Sequence, residues 1–318
     1  MKIVITGGCG FLGVGIARKL MDRPEIDSLV LFDAHVPDAL PNGLDDRVTM
    51  VEGDISDRVQ VAAIIDRDDI GVFHLASVVS AGGEQNFDLA MRVNFDGGRH
   101  ILEALRARKG TPRIVLASSL AVFGGPDMPE AVTEMTRVVP QTTYGMTKAI
   151  GELMINDYTR KGFIDGRAAR LPTVIIRPGA PNAAASGFAS GVFREPLSGQ
   201  DYVLPVAMDT RMMVIGARSA IAGLTGLMDA DGEGLGADRV VNLPNNAYAV
   251  TDMIAALERV AAENGITFGP VTPKPDPAIE AIVKSWPLAM EDSRARALGL
   301  PADESLEAII REYIADWL

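Results

Sequence analysis

Lys2-Ile3-Val4-Ile5-Thr6-Gly7-Gly8-Cys9-Gly10-Phe11-Leu12-Gly13 decides the fold. Its first five residues are a short β-branched apolar run, and the spacing from Phe11 to Met21 is helical. A strand that runs through a glycine turn straight into a helix is the opening unit of a dinucleotide-binding domain. Gly7 permits the tight turn, Gly10 lets the backbone approach a pyrophosphate, and Gly13 lets helix and strand pack closely. The helix start at Phe11 and Leu12 presents unpaired N–H groups to phosphate. The spacing is GxxGxxG rather than GxGxxG, and glycine turns are common, so the motif needs support. Asp33 supplies it, standing 20 residues after Gly13 at the end of the next apolar run. A carboxylate there meets the adenine ribose hydroxyls and repels the 2′-phosphate of NADP. Ala34-His35-Val36 follows with no arginine, so the expected cofactor is NAD. Asp54-Ile55 is expected near adenine, and Leu75-Ala76-Ser77 along the middle of the cofactor.

Further apolar runs at 48–51, 71–75, 114–117 and 173–176 are read as strands three to six. Helical stretches at 57–66, 84–108 and 144–160 separate them, the second interrupted at Gly97-Gly98. Strands alternating with helices predict an α/β fold, a Rossmann-type doubly wound parallel sheet. After Pro178 the pattern loosens, with 180–205 rich in Ala, Gly, Pro and Ser. Helical stretches at 217–229 and 251–264 flank a strand-like 239–243, and the tail 276–318 is helical with proline breaks. Residues 1–178 are therefore expected as the NAD-binding core. Residues 179–318 are expected as a smaller substrate-binding lobe with some segments returning to that core.

Composition excludes several classes. The 318 residues are 47% hydrophobic and 23% charged, which suits a globular chain. Net charge is −12 and no Lys/Arg run occurs, so no nucleic-acid partner is expected. No stretch reaches the roughly 18 apolar residues of a membrane span. Ile3-Val4-Ile5 ends at once in glycines, which reads as a buried strand rather than a signal peptide. The acidic balance suits a cytoplasmic protein, and an anionic substrate would need locally placed arginines. Cys9 is the one cysteine and reads as a small filler. His74 lies inside a strand and reads as a core residue. His35 and His100 lack partners at metal-ligand spacing, so no metal is expected.

Tyr144-Gly145-Met146-Thr147-Lys148 puts Tyr and Lys one helical turn apart on one face. A free tyrosine titrates near 10 and is a poor base at neutral pH, but a neighbouring ammonium stabilises its phenolate. Lys148 can also steady the nicotinamide ribose. Ser118-Ser119 closes the fifth strand at the carboxyl edge of the sheet, where such folds bind ligands. A serine there can hold a substrate oxygen while Tyr144 removes its proton. Alone, a Tyr and Lys so spaced describe a half-buried ring beside a solvated amine. The glycine turn, Asp33 and the serine pair give them their chemical reading.

In this order the chain resembles the extended short-chain dehydrogenase/reductases, the superfamily that contains nucleotide-sugar epimerases. The matching segments are Gly7 to Gly13, Ser118-Ser119-Leu120-Ala121-Val122-Phe123-Gly124, Tyr144 to Lys148, and Arg177-Pro178-Gly179. Arg294-Ala295-Arg296-Ala297-Leu298-Gly299-Leu300 resembles the family's C-terminal helix-turn. The resemblance implies Ser119, Tyr144 and Lys148 as the catalytic group, with Ser118 a second substrate contact and Pro178 beside the cofactor. It also implies a homodimer formed through helices flanking the sheet. Phe123 stands where the family usually has Tyr.

The second half departs from the nucleotide-sugar enzymes. Gly179-Ala180-Pro181-Asn182-Ala183-Ala184-Ala185-Ser186-Gly187 is a run of small residues, and aromatics are only 5% of the chain. A stacked nucleobase would have few platforms. The segments 74–83 and 177–194 are similar to the D-erythronate dehydrogenase group, which implies oxidation of a four-carbon sugar acid at C2. Ser77, Ser80 and Asn182 are then candidates for substrate hydroxyls, and Arg194 and Arg211 for its carboxylate. Arg211 also falls where the nucleotide-sugar enzymes have a diphosphate-binding arginine. The competing expectation is a nucleotide-sugar 4-epimerase or dehydratase with tightly bound NAD. A non-catalytic NAD sensor is disfavoured, because a sensor needs no proton relay.

Overall fold

The structure is a computed structural model that describes residues 1–180 and 184–318. The first half runs β1 (Lys2–Thr6), α1 (Phe11–Leu20), β2 (Ser28–Asp33), β3 (Val48–Glu52), α2 (Arg58–Ile64), β4 (Ile70–His74), α3 (Ser80–Gln85) and α4 (Phe87–Ala90). A π-helical segment (Met91–Asp96) leads into α5 (Gly97–Arg106), β5 (Arg113–Ser119), β6 (Ala131–Val132), α6 (Thr143–Arg160) and β7 (Asp165–Leu171). The second half runs β8 (Thr173–Ile175), α7 (Phe188–Leu197), β9 (Tyr202–Leu204), β10 (Arg211–Gly216), α8 (Ala217–Asp229), α9 (Gly232–Leu235), β11 (Val240–Asn242), β12 (Asn246–Ala249) and α10 (Val250–Asn264). It ends with β13 (Val271–Pro273), α11 (Pro277–Val283), β14 (Ala289–Met290), α12 (Ser293–Ala297) and α13 (Leu306–Trp317).

The central sheet has the order β11-β7-β5-β4-β1-β2-β3, and its paired strands are all parallel. This is the predicted doubly wound Rossmann-type architecture. Strand alternation explains why both faces are apolar. Ile3, Ile5, Leu29 and Leu31 pack with α1 and α8, whereas Val4, Val30, Val72 and Ile114 pack with α2, α5 and α6. A third core joins α7, β10, α10 and α13 to the segment after β5. Strand order reverses between β1 and β4, and in open α/β sheets ligands bind at that crevice.

Two expectations are corrected. The sixth central strand is β7, not the run at 173–176. That later run leaves the sheet, and β8 pairs with β10 in a three-stranded sheet with β12. Asp165-Gly166-Arg167-Ala168-Ala169-Arg170-Leu171 hides its strand character behind two arginines that are buried and paired. Arg167 donates to the carbonyls of Asp165 (2.8 Å) and Ala230 (2.6 Å). Arg170 is paired with Glu152. The second correction is Gly97-Gly98, which does not interrupt its helix but opens α5. A Cβ at Gly97 would sit 2.8 Å from the Ile55 side chain, so the glycine admits close packing there. The irregularity lies upstream, in the π-helical segment.

Candidate active site

A cavity of about 330 Å³ lies at the carboxyl ends of β1, β4 and β5. Gly7, Gly10 and Gly13 line one end, Ser119 and Tyr144 the middle, and Arg177, Arg194 and Trp286 part of the far wall.

The glycine end has the geometry a dinucleotide needs. Gly7 has a φ of +68°, and a Cβ there would stand 2.9 Å from the Ala76 backbone nitrogen across the crevice. Gly13 packs on the turn itself, where a Cβ would meet the Gly8 carbonyl at 2.5 Å. Gly8 is as tightly enclosed, with the Ile5 carbonyl at 2.5 Å, a constraint the motif spacing did not reveal. Gly10 precedes helix α1 and offers no side-chain cap, and the first turn has no acidic residue. Its N–H groups therefore stay open to an anion. Asp33 ends β2 and accepts a hydrogen bond from the Cys9 N–H at 3.1 Å, which ties the carboxylate to the turn. Burial, with Asp33 adding to it, pushes the Cys9 thiol up to about 11, so it is inert at neutral pH. These residues fit NAD: the turn and α1 would hold the pyrophosphate, and Asp33 the ribose hydroxyls.

Other predicted cofactor contacts divide. Phe11, Leu12 and Leu75 line the cavity. Ala76 faces Gly7, and the Ser77 hydroxyl donates to the Val78 carbonyl. Asp54 is exposed and accepts from the Ser56 N–H, while the Ile55 side chain is buried in the core. Pro178 is half-buried beside Arg177.

The catalytic candidates converge. Thr142 caps α6 by accepting from the Gly145 N–H at 3.1 Å, which puts Tyr144 in the first turn. Ser119 caps the 3-10 turn Leu120–Val122, its Oγ accepting from the Ala121 N–H at 3.2 Å. Ser119 and Tyr144 both line the middle of the cavity, and the Ser119 hydroxyl is near enough to favour the Tyr144 phenolate. Burial raises the Tyr144 hydroxyl above its ordinary range, and Ser119 acts against that. The Lys148 ammonium lies 5.4 Å from the centre of the Tyr144 ring. Burial lowers Lys148 to about 8, and the charge of Glu152 opposes the fall. His74 is the buried core residue expected from its strand, bonded through Nδ1 to the Thr6 hydroxyl at 2.8 Å. Burial, with Lys148 adding to it, lowers His74 to about 3, so it is neutral beneath the site.

Gly145 decides how close these parts come. A Cβ there would stand 2.0 Å from the Ala121 carbonyl oxygen. Only glycine lets α6 rest directly on the turn that follows Ser119.

Ser118, expected as a second substrate contact, is engaged within the protein. It lines the cavity, but its hydroxyl donates to Glu152 Oε1 at 2.5 Å. Arg170 grips the same carboxylate through Nε (2.9 Å) and Nη2 (2.8 Å). Arg211 is exposed at the start of β10 and is not among the residues that line the cavity. Ser80 and Arg194 do line it, and the Ser80 hydroxyl accepts from the Ala185 N–H at 3.2 Å. Asn182 lies outside the described residues. Sequence reasoning missed Trp286, which is 9% exposed on the cavity wall, because its segment carries no motif. It also missed Asn94, whose side chain accepts from the Val78 N–H (2.7 Å) and donates to Thr147 (3.1 Å), tying the β4 loop to α6.

Among the described residues no helix is long and apolar enough to cross a membrane, and no group of three metal-ligating side chains occurs. The model of the NAD dependent epimerase/dehydratase family matches residues 3–215. The chain is 46% identical to a D-erythronate dehydrogenase of Cupriavidus necator, over 99% of this chain and 98% of that one. It is 39% identical to a D-erythronate dehydrogenase of Haemophilus influenzae, over 99% of each. A crystal structure described as a nucleoside-diphosphate-sugar epimerase of Agrobacterium tumefaciens superposes with a TM-score of 0.90. It is 37% identical and covers 100% of this chain and 94% of that one. With the glycine turn, Ser119 and Tyr144 lining one crevice, the chain belongs to the NAD-dependent epimerase/dehydratase family and is an NAD-dependent oxidoreductase.

Proposed function

We propose that the protein oxidises a small sugar acid, D-erythronate to 2-dehydro-D-erythronate, with Tyr144 as the base. The observation that carries this is the charge of the cavity. In a chain of net charge −12, the described residues that line the cavity with Ser119 and Tyr144 include Arg177 and Arg194 and no carboxylate, and of the two only Arg194 is paired, with Glu195. A low-dielectric site of that sign favours a small anion. The names of the two full-length relatives point the same way.

The residues divide the work as follows. The Ser119 Oγ lone pair is engaged by Ala121, which leaves its proton for the substrate oxygen. A substrate hydroxyl enters between Ser119 and Tyr144, within reach of both side chains. Tyr144 takes the hydroxyl proton as C2 becomes a carbonyl. NAD, when bound, supplies the hydride acceptor and a positive ring. Lys148 stabilises the phenolate and orients the nicotinamide ribose.

The second reading, a nucleotide-sugar epimerase, is favoured by the name of the Agrobacterium structure. Against it, Arg211, the candidate diphosphate ligand, is exposed and outside the cavity. A panel of four- to six-carbon sugar acids and UDP-sugars separates the two. Stoichiometric NADH from D-erythronate is the expected result. Conversion of a UDP-sugar without net NADH, and no reaction with any acid, would overturn the proposal.

A further inference from the structure

The cavity holds two arginines of unequal standing. Arg194, on α7, is 8% exposed. Its Nη2 bonds Glu195 Oε1 at 2.5 Å, and its Nη1 donates to the Arg177 carbonyl at 2.9 Å. Arg194 is therefore ion-paired, and it holds the backbone of Arg177. The Arg177 N–H is held as well, donating to the Ser190 hydroxyl at 3.0 Å. The Arg177 side chain differs: its Nη1 donates to the Ala180 carbonyl at 2.6 Å, and it forms no salt bridge with a described residue. Both arginines line the cavity, and Arg177 is the one of the two that no described carboxylate pairs.

We infer that Arg177 receives the substrate carboxylate, and that Arg194 with Glu195 is a positioning pair that fixes its backbone. This rests on the sugar-acid proposal and names the group within it that reads the acid. It replaces Arg211, and moves Arg194 from direct ligand to support. Burial and then the like charge of Arg194 both disfavour the Arg177 cation. A bound carboxylate relieves both effects, because it offers hydrogen bonds to the nitrogens left over and cancels the local excess charge. A planar guanidinium matches a carboxylate in two-point contact, which an ammonium does not. The same wall offers nothing comparable to a neutral group of the same shape.

The test compares D-erythronate with D-erythronamide, which keeps the hydroxyls and lacks the charge. The readout is the ratio of kcat/KM for acid over amide, in wild type, Arg177→Gln, Arg177→Lys, Arg194→Gln and Arg211→Gln. Losing charge-assisted hydrogen bonds should lower that ratio roughly 10- to 100-fold in Arg177→Gln, mainly through KM for the acid. Arg177→Lys should recover part of it. Arg194→Gln, which loosens the support of Arg177, should depress both substrates, and Arg211→Gln should leave the ratio unchanged. NAD affinity and a thermal melt identify any variant that has not folded, and Arg177→Lys then carries the comparison. An unchanged ratio in Arg177→Gln, or a ratio that collapses only in Arg194→Gln or Arg211→Gln, overturns the assignment while the sugar-acid proposal stands. A wild type that oxidises no sugar acid overturns both.

Discussion

Gly145→Ala is the sharpest test of how the site is held together. The added methyl would stand 2.0 Å from the Ala121 carbonyl oxygen, 2.9 Å from the Ala121 carbonyl carbon and 3.0 Å from the Pro140 side chain. Two of these neighbours are backbone, so rotamer changes cannot absorb the clash. Real Cβ contacts essentially never fall under 3.0 Å, so α6 and the Leu120–Val122 turn must separate by about 1 Å. Tyr144 precedes Gly145 on α6, and Ser119 caps the turn that would be pushed. Whichever element moves, the Ser119–Tyr144 pair opens. A displacement of about 1 Å in a reacting group costs on the order of 100-fold in rate, and overpacking costs about 1–3 kcal/mol of stability. Initial rates of NADH formation, NAD titration and urea denaturation should thus show kcat down by about two orders of magnitude, stability lowered modestly, and NAD affinity largely kept. A variant with near wild-type kcat would refute the claim that this contact sets the distance between the two hydroxyls.

Other outcomes follow from single residues. Tyr144→Phe should abolish turnover while NAD binding, followed by fluorescence titration, stays largely intact; substantial residual activity would rule Tyr144 out as the base. Asp33→Ala should weaken NAD and relax its preference over NADP, measured as the ratio of kcat/KM for the two cofactors. Because Asp33 also bonds the Cys9 N–H, part of the NAD loss should come from a loosened turn. Lys148→Met should inactivate the enzyme yet stabilise the ligand-free fold at neutral pH. The Lys148 pKa is about 8 when folded against 10.5 when free, so the unfolded chain binds more protons between those values. Stability contributed by this group therefore rises with pH from 8 to 10.5, and below 8 the buried ammonium carries its full penalty of up to about 3 kcal/mol. Urea melts at neutral pH and near pH 10 should show the gain of Lys148→Met shrinking as pH rises; a variant less stable at neutral pH would contradict this.

The central architecture was legible because most core strands announce themselves as apolar runs between glycines and helical patterns. Strand β7 was not, and its failure is informative. Arg167 and Arg170 break the apolar pattern that marks a buried strand, yet each is paired inside the protein. Hydrophobic patterning cannot distinguish a buried, bonded arginine from a solvated one. The same limit explains the substrate side. Arg194 and Arg211 looked equivalent in sequence, and only the fold separates a cavity wall from an exposed strand start. Ser118 and Ser119 were likewise adjacent candidates, and the bond from Ser118 to Glu152, two turns along α6 from Tyr144, gives them different surroundings. Trp286 comes from a tail segment with no pattern of its own and reaches the cavity through tertiary packing alone.

Those buried polar groups also have a bearing on catalysis. Tyr144 and Lys148 lie on one face of α6 between two fixed points. At the front, Gly145 lets the helix rest on the Ala121 carbonyl. At the rear, Glu152 is clasped by Ser118 of β5 and Arg170 of β7, and the Arg170 guanidinium lies 4.7 Å from the Phe123 ring centre. A buried ion pair adds little net stability over apolar packing, but removing one partner is costly, so it resists any sliding of α6 along the sheet. Asn94 adds a third tie, from the β4 loop to Thr147, which lies between Tyr144 and Lys148. A hydroxyl base must stay within hydrogen-bond reach of the proton it takes, and such reach is held best by groups on rigid elements with locked supports. The glycine and the carboxylate that cost α6 its clean amphipathic pattern are the residues that keep Tyr144 beside Ser119.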